Sequence, residues 1–265
     1  MKRIIKSLFL RFAPRKVLHW SKKWHYAHAL RNFNEGDEKD LLITRMLVRG
    51  GETAIDIGAN VGIYTKILSE QVGQKGHVYS IEPVPPTFSL LSHCAKKLGL
   101  SNVILLNIGI SDSNRSVSMV VPAYEQGGEN FHRAHIVGGA GLAEAKSTFN
   151  VSVKTLDSVL EDNRDAVTFI KCDVEGHELP VINGARRTIE RTSPAILIEI
   201  SDSPDESGSD AEKVFSYLNS NNYTPYWFDG IELRKRAVGD SCVNYFFLNT
   251  GHLQRVKSAG IQVVE

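Results

Sequence analysis

From residue 37 onward, short runs of apolar and β-branched residues alternate with longer stretches in which apolar positions recur every three or four residues. Runs of the first kind mark strands buried on both faces, and spacing of the second kind marks amphipathic helices. The pattern predicts a helix over Asp37–Val48 that ends at Gly50-Gly51, then strand Thr53–Ile57, helix Ile63–Gln71 and strand His77–Ile81. Helix Phe88–Leu98 and strand Val103–Asn107 follow. Further on, Val167–Cys172 and Ala195–Ile200 repeat the strand signature around a helical stretch, Glu178–Arg191. Such alternation predicts an α/β fold with a mostly parallel sheet and helices on both faces. The last quarter differs: after helical Ala211–Asn219, the aromatic-rich runs Tyr223–Phe228 and Asn244–Leu248 are joined by a turn around Asp229-Gly230. These two runs predict an antiparallel hairpin at the sheet edge.

The pattern breaks over residues 122–150, where Gly127-Gly128, Gly138-Gly139 and Gly141 surround His132, Arg133 and His135. A connection this long within a compact domain reads as a lid or substrate loop, or else as a disordered insertion. With 265 residues the chain is long enough for one sizeable core. The expected organisation is an arm over 1–34, a domain over 35–252 and a tail over 253–265.

Charge changes this picture at one end only. The whole chain carries +1, which argues against a nucleic-acid binder governed by its overall field. Residues 1–34, however, contain nine Lys or Arg and no Asp or Glu, so the remainder carries 22 − 30 = −8. Residues 4, 5, 8, 9 and 12 are apolar, with Lys2, Arg3, Lys6 and Arg11 between them. That basic amphipathic spacing suits an anionic membrane surface, and equally a helix packed on the domain with its charges in water. No stretch approaches the roughly 18–20 apolar residues of a membrane span, and Lys6 and Arg11 interrupt the apolar core of a secretory signal. Cys94, Cys172 and Cys242 form no CxxC pair, so neither a disulfide framework nor a cysteine zinc site is expected. A cytoplasmic protein, peripheral at the membrane if the arm engages it, is the resulting expectation.

The strongest local chemistry is the run Ala54–Gly62, in which an apolar strand enters a glycine turn and then a helix. Such a turn lets a ligand approach the backbone near the positive end of a helix. A dinucleotide site would want G-x-G-x-x-G, but position 60 is Asn and position 63 is Ile. Asp56, before the turn, would repel a pyrophosphate and attract a cationic amino-acid group. Glu82, 24 residues beyond Gly58 at the end of the next strand, can accept both hydroxyls of a ribose. The segment Ile170–Glu178 places Asp173, Glu175 and His177 after a later strand, on the same rim as Asp56 and Glu82. Glu175 and His177 are candidate proton acceptors. Asp173 and Glu199 could hold Mg²⁺ between them, although two carboxylates alone do not define a metal site.

Five segments in order, Glu52–Tyr64, Ile81-Glu82-Pro83 with Pro85, Asn107–Asp112, Thr155-Leu156-Asp157-Ser158 and Ile170–Glu178, resemble the FkbM-type S-adenosylmethionine-dependent methyltransferases. The resemblance covers about residues 37–250 and leaves the basic arm outside. It implies a Rossmann-like class I methyltransferase fold with a C-terminal antiparallel hairpin. It also implies O-methylation of a hydroxyl on a sugar, glycan, glycolipid or natural product. By this likeness Asp56, Gly58, Asn60 and Gly62 line the methionine side of the cofactor, Glu82 holds the ribose, and Ser111 and Asp112 lie near the adenine. Asp173 falls at the methionine end, beside the acceptor, with Glu175 and His177 behind it; either Asp173 or His177 serves as base. Ala95 and Cys172 depart from the residues commoner in relatives. Two other classes share the sheet: a nucleotide-sugar or NAD(P)-dependent oxidoreductase, and a non-catalytic scaffold that binds S-adenosylmethionine.

Overall fold

The computed structural model describes residues 15–122, 135–136, 145–162 and 166–265. The strands are β1 (Thr53–Ile57), β2 (His77–Ile81), β3 (Val103–Leu106), β4 (Gly109–Ile110), β5 (Arg115–Pro122), β6 (His135–Ile136) and β7 (Ala145–Lys154). They continue as β8 (Val167–Cys172), β9 (Ala195–Glu199), β10 (Thr224–Phe228), β11 (Leu233–Lys235), β12 (Asn244–Leu248) and β13 (Val263–Val264). The helices are α1 (Arg15–Arg31), α2 (Asp40–Leu47), α3 (Ile63–Val72), α4 (Pro85–Leu98) and α5 (Leu156–Val159). After them come α6 (Glu178–Asn183), α7 (Arg186–Thr192), α8 (Asp210–Ser220) and α9 (Thr250–Ser258).

One large sheet runs in the order β13-β11-β10-β12-β9-β8-β1-β2-β3. Strands β9, β8, β1, β2 and β3 are parallel neighbours, as their apolar runs require. Successive residues point to opposite faces, so β1 sends Ile55 and Ile57 into one core layer and Ala54 into the other. The first layer joins α6, α7 and α8 to the sheet through Val181, Ile189 and Val214. The second joins α2, α3 and α9 through Leu47, Leu68 and Val256.

Four expectations need correction. The helix foreseen over Asp37–Val48 is a 3₁₀ turn at Glu35–Asp37 followed by α2, because Glu38 is extended and breaks the helical path; Val48 is extended as well. The turn at Asp229-Gly230 joins β10 to the extra strand β11, not to β12. Strand β12 instead inserts antiparallel between β9 and β10. Tyr245, Phe246, Phe247 and Leu248 are all buried, as in a strand covered on both faces. Residues 253–265 are no loose tail: Val256 is buried, Arg255 donates to Leu47 O at 2.8 Å, and β13 pairs with β11.

A second sheet, β4-β7-β5-β6, was not foreseen. Its long antiparallel pair, β5 with β7, occupies both ends of the region read as one loop over 122–150. Residues 123–134 and 137–144, with Gly127, Gly128, His132, Arg133, Gly138, Gly139 and Gly141, lie outside the described residues, as do residues 1–14 of the arm.

Candidate active site

Strand β1 is the point where the chain order reverses, with β2 and β3 to one side and β8 and β9 to the other. Connections leave such a point in opposite directions and open a crevice at the carboxyl ends of the strands. A cavity of about 280 Å³ lies there, near the lower end of small-molecule sites. Gly58 and Asn60 from the β1 turn, Glu82 from the end of β2, Asp173, Glu175 and His177 after β8, and Glu199 at the end of β9 all line it. Ile110, Met119 and Val153 bring an apolar wall from the second sheet.

The β1 turn is built on left-handed backbone at Gly58 (φ 78°), Asn60 (φ 51°) and Gly62 (φ 100°). A side chain at Gly58 would place its Cβ 1.8 Å from the carbonyl oxygen of Asp173, so glycine alone lets this turn press against the end of β8. The amides of Gly58 and Ala59 both donate to Ile81 O at 3.0 Å, which fixes the turn to β2 as well. Gly62 is buried and does not line the cavity; it brings α3 close to Leu91 of α4.

Glu82 is only 6% exposed and its carboxylate is clamped by backbone. Asn60 N donates to Oε2 at 3.1 Å and Val84 N to Oε1 at 2.9 Å. Burial pushes its pKa up to about 7; the two amide bonds oppose that rise, and the Asp56 and Asp173 charges add to it. A carboxylate has about four lone-pair sites, so each oxygen still offers one to a hydroxyl donor.

Asp56 occupies a different place from the one foreseen. It does not line the cavity; it points with Ala54 toward α3, where Oδ2 accepts from Thr65 Oγ1 at 2.6 Å. Thr65 Oγ1 is also 2.7 Å from Ser80 Oγ. Its Oδ1 is buried without a hydrogen-bond partner among the described residues. In the parallel register Asp56 lies opposite Lys171. The Lys171 ammonium is 2.7 Å from Asp173 Oδ2 and 5.1 Å from the centre of the Tyr64 ring. Burial works against that ammonium, but Asp173 and Asp56 outweigh it and hold its pKa above the ordinary lysine value. Burial raises the pKa of Asp56, and Lys171 opposes the rise. Lys171 was not singled out from sequence. Its signal was a charge inside a strand buried on both faces, which needs a partner.

Ser111 and Asp112 also lie outside the cavity lining and stand behind His177. His177 Nε2 is 3.0 Å from Ser111 Oγ, Ser111 Oγ donates to Asp112 Oδ1 at 3.2 Å, and Arg115 Nη1 donates to the same oxygen at 2.6 Å. With the Ser111 proton directed to Asp112, Ser111 takes the Nε2 proton, and this assignment leaves Nδ1 as the acceptor of the ring. Burial lowers the His177 pKa, so the ring is neutral at neutral pH. Glu175 is exposed on the rim, in left-handed backbone at φ 53°. Burial, reinforced by Asp173, raises the pKa of Glu199.

Asp173 and Glu199 share the cavity, but the pair does not suit Mg²⁺. The ammonium on Asp173 Oδ2 occupies the charge that a dication would need. Among the described residues no group of three His, Cys, Asp or Glu is placed to hold a metal ion.

Compared with known proteins, the chain matches the family model described as the methyltransferase FkbM domain over residues 56–225. It is similar to the hexuronic acid methyltransferase AglP of Haloferax volcanii, 27% identical over 167 residues that cover 62% of this chain and 60% of that protein. A stretch of 75 residues is 29% identical to a protein-L-isoaspartate O-methyltransferase of Ignicoccus hospitalis and covers 28% of this chain and 34% of that one. Among solved structures, the methyltransferase FkbM of Methylobacillus flagellatus shares the fold, with a TM-score of 0.50 at 20% identity. That match covers 74% of this chain and 43% of the other. The chain thus spans about 60% of the length of its archaeal sugar-modifying relative.

Proposed function

The chain belongs to the FkbM methyltransferase family and has a Rossmann-like methyltransferase fold, and on that premise we propose that it is an S-adenosylmethionine-dependent O-methyltransferase. Its acceptor in this reading is a hydroxyl on a sugar, glycan, glycolipid or related natural product. One observation carries the proposal: a buried, backbone-clamped Glu82 stands beside a left-handed Gly58–Asn60 turn in a cavity walled by carboxylates. An acidic wall suits a ligand whose sulfonium and ammonium groups are both cationic, and the two remaining lone pairs of Glu82 suit a ribose diol. S-adenosylmethionine, when bound, supplies an electrophilic methyl group on sulfur.

The residues then divide the work. Gly58 and Asn60 bring backbone close to the ligand, Glu82 accepts from the ribose, and Asp173 faces the cationic methionine end. Asp56 acts at one remove, through Lys171 and Thr65. His177 takes the proton of the acceptor hydroxyl on Nδ1, because it is neutral and lines the cavity. Asp173 is less free to take that proton, since its Oδ2 is already held by the Lys171 ammonium. Glu175 and Glu199 give the acceptor's part of the cavity a polar lining, and Met119 and Val153 give it an apolar one. A sugar offers hydroxyls to the first wall and an apolar ring face to the second. The name of the archaeal relative, a hexuronic acid methyltransferase, supports a sugar acceptor.

Calorimetric titration of S-adenosylmethionine and S-adenosylhomocysteine tests the cofactor. Glu82→Gln is expected to weaken both by about 10–100-fold, the worth of hydrogen bonds to a charged group of roughly 1.5–3 kcal/mol. Because the Glu82 pKa is about 7, its charged form grows as pH rises. The ratio of wild-type to Glu82→Gln affinity should therefore increase about tenfold between roughly pH 6 and 8. No binding to the folded wild type would end the methyltransferase reading, and a ratio that stays flat with pH would remove Glu82 from the ribose.

A further inference from the structure

The two longest stretches of sequence without an acidic residue are 1–34 and 83–111, and the fold brings parts of them together. Helix α1 lies on α4, burying Ala27 and Leu30 in one cluster with Cys94, against which Tyr26 and Leu98 are partly buried. The other side of this contact is basic and open. Arg31, Lys96 and Lys97 are exposed, and Trp24 is 48% exposed. The Lys97 ammonium stands 4.8 Å from the centre of the Trp24 ring, and Arg31 Nη2 donates to Lys97 O at 3.1 Å. Lys23, Lys96 and Lys97 crowd one imidazole, His93, whose pKa falls through burial first and then through these three charges.

None of Lys22, Lys23, Arg31, Lys96 or Lys97 takes part in an ion pair among the described residues. Lys23, Lys96 and Lys97 all act on His93 and Arg31 reaches Lys97, so these four like charges lie close together, and among the described residues none of them is neutralised by an ion pair. The remainder of the chain beyond residue 34 is net negative, so the face is a local feature and not a general excess.

We propose that the α1–α4 face is a docking surface for an anionic lipid bilayer, with Trp24 as its interfacial anchor. Lysine and arginine side chains near such a surface each gain affinity from its negative potential. An indole with one apolar and one polar edge settles at the headgroup level. The sequence ahead of α1 continues in the same sense, with apolar positions 4, 5, 8, 9 and 12 set between basic ones. That alternation suits a bilayer interface, where apolar residues are buried, better than a phosphate backbone, which offers them nothing. Docking here holds the enzyme beside acceptors that are themselves lipid-linked. It does not depend on the identity of the transferred group or the cofactor.

Flotation of the full chain with phosphatidylcholine vesicles, with or without about 30% phosphatidylglycerol, tests the surface. Binding is expected only to the anionic vesicles, with a blue shift of tryptophan emission that Trp24→Ala removes, and it should fade as salt rises to about 0.5 M. One charge near the surface corresponds to about 1 kcal/mol, a factor of roughly five. Lys96→Glu combined with Lys97→Glu should therefore weaken vesicle binding at least about 20-fold, with an unchanged melting temperature. Indifference to anionic lipid, equal binding by the doubly substituted protein, or tighter binding to an RNA oligomer than to vesicles would each overturn the proposal. Free glycerol phosphate in the same assay separates a bilayer from its soluble headgroup, and competition by it at micromolar concentration would also count against a membrane surface.

Discussion

His177→Ala is expected to reduce methyl transfer by about 10²–10⁴-fold, the usual contribution of a positioned proton acceptor. Affinity for S-adenosylhomocysteine should stay close to that of the wild type, because the imidazole is tied to Ser111 and Asp112 and not to the Glu82 side of the cavity. The measurement pairs initial rates on the best acceptor from a panel of hexoses, hexuronic acids and glycolipids with calorimetry on the same protein. The pH profile has a determined sign. Burial lowers the His177 pKa, so the free base persists to more acidic pH than an ordinary histidine would allow. The acid limb of the wild-type rate should accordingly lie below the ordinary imidazole range and vanish in the variant. Undiminished turnover would transfer the proton to Asp173 or Glu199. Loss of cofactor binding would place His177 in the wrong half of the site.

Strand bounds were readable wherever the sequence itself punctuates them. Thr53–Ile57 stops at Gly58 and His77–Ile81 stops at Glu82-Pro83, and both strands end where the apolar run does. The second sheet was missed because its two long strands flank a glycine-rich stretch. Yet Val117 and Met119 on β5, and Phe149, Val151 and Val153 on β7, alternate with polar residues as a half-buried strand should. The insertion of β12 between β9 and β10 had no local signal of its own. It follows from the burial of four consecutive large side chains, a property of the whole sheet.

The site divides along the same line. Gly58, Asn60, Glu82, Asp173, Glu175, His177 and Glu199 converge because each sits at or just beyond the carboxyl end of a strand, and the topology sends those ends to one crevice. Asp56 differs by being inside its strand. Sharing a face with Ala54, it turns toward α3, and parity along β1 already implied this. Ser111 and Asp112 follow β4, a strand of the second sheet, so they approach the crevice from behind His177.

Lys171→Met removes the cation that Asp56 and Asp173 share, and the fold is expected to lose about 3–5 kcal/mol at neutral pH, as when one member of a buried ion pair is deleted. For a chain of this size that corresponds to a melting temperature lower by roughly 10 °C. The pH dependence again has a definite sign. Asp56 is buried with one oxygen unpartnered, and its folded-state pKa lies above the unfolded value of 3.8. Without Lys171 that elevation grows. The folded form then holds its proton where the unfolded form has released it, so stability falls as pH rises from about 4 toward the folded pKa. The deficit of the variant should therefore shrink on acidification and reach its full size once the pH has passed the folded pKa. Asp56→Asn added to Lys171→Met takes away the orphaned charge and should restore most of the melting temperature, whereas Asp56→Asn alone should change it far less than Lys171→Met. A single variant that melts with the wild type at pH 7, or a deficit that ignores pH, would mean that water reaches these carboxylates and that Lys171 is a solvated side chain. If both effects appear, the floor of the site is a three-charge unit, one cation between two carboxylates, and Asp173 faces the cavity only because Lys171 holds it there.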